Sequence, residues 1–152
     1  MFMKIAIGTD HNGVEVKREI VSFLKSSGYE VVDVSPTNSA VDDYPNIAFD
    51  LCNALNENKA ELGILVCGTG IGMSIAANKV KGIRCAHVTN VNEASLARKH
   101  NNANVMAIGK NNRVNDILKM VDIFITTQFS KEERHRRRVD IINKYENGEY
   151  NV

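Results

Sequence analysis

The chain has 152 residues, of which 43% are hydrophobic and 24% charged, and its formal net charge is +1. That balance argues against a general nucleic-acid or membrane binder and leaves room only for a local basic cluster holding a small anion. A domain of this length buries roughly 70% of its unfolded surface, so it holds a core without staples. Accordingly Cys52, Cys67 and Cys85, too few to pair completely and lacking a C-x-x-C spacing, suggest neither a disulfide framework nor a zinc site.

The N-terminal apolar run through Ile5 and Ile7 is too short for a secretion signal or a membrane span. It reads as a first strand over 4–8, and the expected compartment is a reducing cytoplasm. A helix is predicted over 14–27, with Val16, Ile20, Phe23 and Leu24 on one face and Gly28 as its stop. A strand over 30–34 follows, then the longest irregular stretch, 35–43. Ile47, Leu51 and Leu55 mark a helix over 44–58. Next come a strand over 62–67, a helix over 71–79, a strand over 83–88, a helix over 92–100 and a strand over 104–108. Val114, Ile117, Leu118, Val121, Phe124 and Ile125 give the clearest helical stripe. A last helix is predicted over 131–145, with a frayed polar tail from about 147. The alternation predicts a single domain over 1–152, an α/β/α sandwich around a parallel sheet of doubly buried strands. Ligands in such folds sit beyond the carboxyl ends of the strands. Three polar segments are expected there: 9–13, 68–72 and the stretch around His100.

The loop Cys67-Gly68-Thr69-Gly70-Ile71-Gly72 joins the third strand to a helix. Its glycines leave N–H groups bare, and the helix start adds partial positive charge. Both favour a thiolate at Cys67 and can hold a developing oxyanion. A tight turn beside an inert thiol is the plain structural alternative. A dinucleotide fingerprint would need glycine at Met73 and an acidic residue ending the next strand, which reads Cys85-Ala86-His87-Val88. A Walker loop would need Gly-Lys-Ser/Thr, and a cysteine phosphatase loop an arginine at Met73. His100 ends a helix and is either a proton shuttle or a surface cap. His87, inside a strand, reads as structural. In Arg134-His135-Arg136-Arg137-Arg138, Arg134 and Arg138 share a helical face and suit a phosphate, or simply pair with Glu132 and Glu133. Asp10 and His11 end the first strand and read as hydroxyl binders or as an N-cap and turn. Asp43 is a candidate cap for the next helix, with Tyr44 facing the same site.

Together these residues resemble the family of type B ribose-5-phosphate isomerases and galactose-6-phosphate isomerase subunits. The resemblance runs from Lys4 to about Ile142. It rests on Gly8-x-Asp10-His11, Asp43-Tyr44-Pro45, the loop from Cys67 to Gly72 and Ala76-Ala77-Asn78-Lys79. Gly82-Ile83-Arg84, Arg98-x-His100-Asn101-x-x-Asn104 and Arg134-His135-x-x-Arg138-Val139 complete it. The resemblance implies a Rossmann-like domain with a five-stranded parallel sheet and a homodimer with sites at the subunit interface. It implies conversion of ribose 5-phosphate to ribulose 5-phosphate without metal or cofactor, in the non-oxidative pentose phosphate route. By position, Cys67 matches the proton-abstracting base and His100 the residue that opens the sugar ring, while Thr69 is placed to relay protons. Asp10, His11, Gly68, Thr69, Gly70, Ile71, Gly72, Asn101, Arg134 and Arg138 match substrate-binding positions. Some members carry a carboxylate base in the Gly-rich region, where this chain offers Met73 and Ser74. The family's phosphate-gripping arginine after the glycine matching Gly109 is here Asn111, with Arg113 two residues later as a candidate replacement. Galactose 6-phosphate or allose 6-phosphate is the nearest alternative substrate. A non-catalytic phosphosugar-binding module is the alternative of another class.

Overall fold

The computed structural model describes residues 3–150. Five strands form one all-parallel sheet: β1 (Lys4–Thr9), β2 (Glu30–Asp33), β3 (Leu62–Cys67), β4 (Cys85–His87) and β5 (Val105–Gly109). Their spatial order is β2-β1-β3-β5-β4. Six helices connect and cover them: α1 (Val14–Ser26), α2 (Tyr44–Asn56), α3 (Ile71–Ala77), α4 (Val91–Asn101), α5 (Val114–Thr126) and α6 (Glu133–Glu146).

Strand alternation assigns the two faces. Ile5, Ile7, Ile64, Val66, Met106 and Ile108 point into a cluster with α1, α4 and α5. Ala6, Leu65, Cys67, Val105 and Ala107 point into a second cluster with α2 and α3. The result is the three-layer α/β/α sandwich that the alternation of elements predicts. The central strands β1, β3 and β5 are buried on both faces, but the edge strands β2 and β4 are only half buried. β4 is also shorter than the predicted 83–88. The Asn78 side chain pairs with both the N–H and C=O of Cys85, and Asn104 Oδ1 accepts from Arg84 N–H, so side-chain amides replace ladder bonds on that edge.

Gly28 ends α1 with φ +90°, its neighbour Tyr29 donating back to the Leu24 carbonyl at 3.0 Å. Asp43 stands at the N-cap position of α2 but makes no capping bond; Pro45 in the first turn sets the helix start instead. α6 ends at Glu146, and the expected polar tail from 147 follows it. Glu149 N–H donates to the Lys144 carbonyl at 2.8 Å, and Tyr150 packs edge-on to Tyr145. Residues 151–152, like 1–2, lie outside the described set. Among the described residues no helix is long and apolar enough to cross a membrane.

Candidate active site

The chain leaves β1 toward β2 on one side and β3 toward β5 on the other, so the loops after β1 and β3 diverge. Such a switch point leaves a crevice at the carboxyl edge of the sheet. Cys67 stands on its rim, at the end of β3 beside Gly109 of β5. The thiol is buried, and Gly70 N–H donates to its Sγ at 3.1 Å. Burial pushes the thiols of Cys52 and Cys85 each up to about 12, so both stay protonated at neutral pH.

The Gly-rich loop is held in one conformation by its surroundings. Gly70 has φ +87°, and a Cβ there would lie 2.9 Å from the Ile108 carbonyl carbon. Gly109 lets the Thr69 and Gly68 carbonyls rest on its backbone; a Cβ would meet them at 2.9 and 3.1 Å. Gly72 seats the Tyr44 ring, whose Cζ would be 2.7 Å from a Cβ. Gly68 differs, with nothing within 4 Å of the corresponding point, so open space lies beside the loop at that residue. Gly70→Ala is expected to destabilise the fold by about 2 kcal/mol, read by urea denaturation, because its left-handed backbone penalises a Cβ.

Two of the loop's N–H groups are already engaged. Gly70 donates to Cys67, and Ile71 donates to Thr69 Oγ1 at 3.1 Å. The N–H groups of Gly68 and Thr69 have no protein acceptor among the described residues, and they remain for an oxyanion. The Thr69 hydroxyl accepts from Ile71 and keeps its own proton to give.

After β1, Asp10 is buried and caps a single 3-10 turn, His11–Gly13. Its Oδ1 accepts from Asn12 N–H at 2.9 Å and its Oδ2 from the Asn12 side chain at 3.2 Å. The turn presents His11 to an open cavity of about 590 Å³. Asn111 lines that cavity too, and so do Lys110 and Arg18. Arg113 does not: it stands at the N-cap position of α5, and the cations that line the cavity beside Asn111 are Lys110 and Arg18.

His100 lies elsewhere, which corrects its expected place at the carboxyl edge. It ends α4, the helix that returns the chain to the amino edge before β5 begins at Val105. β5 then runs its length to reach Gly109 beside Cys67, so the two groups are roughly 15 Å apart or more within one chain. His100 is half buried and stacks on His135 of α6, ring centroids 4.1 Å apart. Asn101 and the exposed Arg134 and Arg138 share this end. Arg134 pairs with Glu132 at 2.8 Å and Arg137 with Glu133 at 2.7 Å, while Arg138 has no ion pair among the described residues.

Two other arginines fix the His100 segment. Arg84 donates through Nε to the Asn101 and Asn102 carbonyls, both at 3.1 Å. Arg98 Nη1 donates to the Ala103 carbonyl at 2.6 Å. Cations at helix-terminal carbonyls offset the partial negative charge there. His135 is buried with its Nδ1 unpartnered. Burial pushes its imidazole below the ordinary value of 6.5; His100, Arg134 and Arg138 push the same way and Glu132 opposes them. The unfolded chain therefore binds this proton at a higher pH than the folded chain. Stability should fall as pH drops below about 6.5, where only the unfolded state is protonated. The melting temperature should decline between about pH 7 and pH 5, and His135→Phe should flatten that decline.

Sequence reading missed the pinning of the Gly-rich loop by Gly109 and by His87, whose Nε2 lies 2.9 Å from the Thr69 carbonyl. Both depend on β5 and β4 lying beyond β3 in the sheet, an order no local pattern announces. Among the described residues, no three His, Cys, Asp or Glu side chains gather as a metal site would need.

The model of the Ribose/Galactose Isomerase family matches residues 5–142, and the chain belongs to that family. It is 42% identical to ribose-5-phosphate isomerase B of Mycobacterium tuberculosis, over 95% of this chain and 90% of the relative. It superposes on type B ribose 5-phosphate isomerase of Trypanosoma brucei with a TM-score of 0.91 and 38% identity, covering 95% and 99% of the two chains. Ribose-5-phosphate isomerase B of Mycoplasma genitalium, solved with bound ribulose-5-phosphate, matches with a TM-score of 0.90 and 41% identity, covering 97% and 98%.

Proposed function

We propose that the chain interconverts ribose 5-phosphate and ribulose 5-phosphate without metal or cofactor. The observation that carries this reading is the Cys67 thiol, taking the Gly70 N–H at 3.1 Å at the head of a loop with open space at Gly68. Relatives named for this reaction, one solved with the ketose phosphate bound, support the substrate. His100 protonates the ring oxygen of the cyclic sugar as the ring opens to the aldehyde. The Cys67 thiolate takes the proton from C2, leaving a cis-enediolate, and returns it to C1. The Gly68 and Thr69 N–H groups stabilise the enediolate oxygen while the Thr69 hydroxyl moves a proton between O1 and O2. Acid–base assistance of this kind accelerates roughly 10²–10⁴-fold per group.

His100 and Cys67 occupy opposite edges of one sheet, so a complete site needs a second copy. The enzyme is read as a homodimer, or a tetramer made of two such dimers, in which each site takes Cys67, Asp10 and His11 from one chain. His100, Asn101, Arg134 and Arg138 come from the other. A two-fold axis across the strands joins carboxyl edge to amino edge twice over. Exposed apolar side chains support the pairing: Ile71 and Ile75 on α3, and Ile141, Ile142 and Tyr145 on α6. At the phosphate end, His11, Lys110 and Asn111 meet the partner's arginines in this reading. A free thiol base also supports a reducing, cytoplasmic setting.

Turnover measured in EDTA on ribose 5-phosphate, allose 6-phosphate and galactose 6-phosphate tests the assignment. The highest kcat/KM is expected on the five-carbon phosphate, and no turnover of any aldose phosphate would overturn it.

A further inference from the structure

His87 ends the edge strand β4, and nothing in the reaction described above uses it. Its Nε2 lies 2.9 Å from the Thr69 carbonyl oxygen. A carbonyl only accepts, so Nε2 carries the proton and donates. The contact is seated as well as bonded. A Cβ on Gly70 would lie 2.9 Å from His87 Cδ2 and 3.1 Å from Nε2, so the ring packs against backbone that only glycine leaves bare.

The Thr69–Gly70 peptide is trans, so its carbonyl and its N–H point in opposite directions. The carbonyl faces His87, and the N–H faces Cys67 Sγ at 3.1 Å. One rigid peptide thus links imidazole to thiol: Nε2–H to C=O, then N–H to sulfur. Donation to the oxygen polarises the peptide and strengthens its N–H as a donor, and it fixes the plane that aims the N–H. Gly109 supports the Thr69 and Gly68 carbonyls from beneath, so His87 supplies the lateral constraint.

The geometry points to His87 as a positioning residue for Cys67, acting through the Thr69–Gly70 peptide to hold the thiolate ready. This rests on the reading of Cys67 as the base. His87 touches no reacting atom, so its loss should lower kcat and leave KM nearly unchanged.

The experiment compares wild type, His87→Leu and His87→Gln, the last placing an amide N–H near the imidazole's donor. Two quantities are measured: kcat and KM on ribose 5-phosphate, and the rate of Cys67 alkylation by iodoacetamide at neutral pH, read by peptide mass. The raised thiols of Cys52 and Cys85 react slowly and serve as internal references. His87→Leu should lower both kcat and the alkylation rate about fivefold, as expected when the one hydrogen bond that holds the Thr69 carbonyl, and through it the N–H on the sulfur, is lost. KM should stay within about twofold, and His87→Gln should restore both rates. A merely structural brace would, when removed, loosen the loop and expose the thiol. Alkylation of His87→Leu at the wild-type rate or faster therefore overturns the proposal, and so does failure of His87→Gln to restore it. Alkylation is independent of turnover, so a wild-type chain that isomerises nothing would sink the functional reading while leaving the relay decided.

Discussion

Cys67→Ala should abolish isomerisation while leaving the fold and sugar-phosphate binding in place. The loss expected in kcat is about 10³-fold, within the range for removing a general base. KM should change little, because in the proposed mechanism Sγ acts on the C2 proton and the anionic end of the substrate is held elsewhere. The cost in stability is small: the side chain loses one sulfur, and the Gly70 N–H loses one acceptor, together about 1–2 kcal/mol. Cys67→Ser preserves shape and a hydrogen-bond acceptor but offers a hydroxyl far harder to ionise, so it should be nearly as inactive. Steady-state kinetics alongside thermal melts separate these effects. A Cys67→Ala enzyme that kept wild-type kcat would return the thiol to the inert buried cysteine its position also allows. Cys52 and Cys85 could not take over, since burial holds both as neutral thiols at neutral pH.

His100→Asn should lose about 10²-fold in kcat, because ring opening then proceeds without a positioned acid. Asparagine still stacks against His135 and cannot transfer a proton near neutrality. Arg84 and Arg98 continue to hold the end of α4, so the variant should melt near the wild-type temperature. The two losses, at Cys67 and at His100, come from opposite edges of one sheet, and that separation makes the second testable in a way the first is not.

Most of the fold was legible because local pattern and global packing agree. β3 was read to the residue, since its apolar run begins at Leu62 and ends where Gly68 begins. Edges were less legible. β4 starts only at Cys85 because the Arg84 N–H before it goes to the Asn104 side chain, and that partner sits 20 residues away in sequence. Within the site, the loop from Cys67 to Gly72 was visible as a motif, but its restraint by Gly109 and His87 was not. The segment around His100 was expected at the carboxyl edge. Its place at the amino edge follows from the return path of α4, which a reading of polar loops alone does not follow. Arg84 and Arg98 entered only as parts of a resemblance. The structure gives them a physical task, neutralising the carbonyl end of the helix that carries His100.

A site shared between two chains is tested most directly by mixing two inactive enzymes. Cys67→Ala and His100→Asn chains are purified separately, unfolded and refolded together at equal concentration, and assayed on ribose 5-phosphate. In a mixed dimer one site unites both substitutions and the other unites the intact Cys67 with the intact His100. Half the dimers are mixed and half their sites are whole, so about a quarter of wild-type activity should return. If activity stays at the level of the separate variants while mixed dimers demonstrably form, Cys67 and His100 do not meet across the interface.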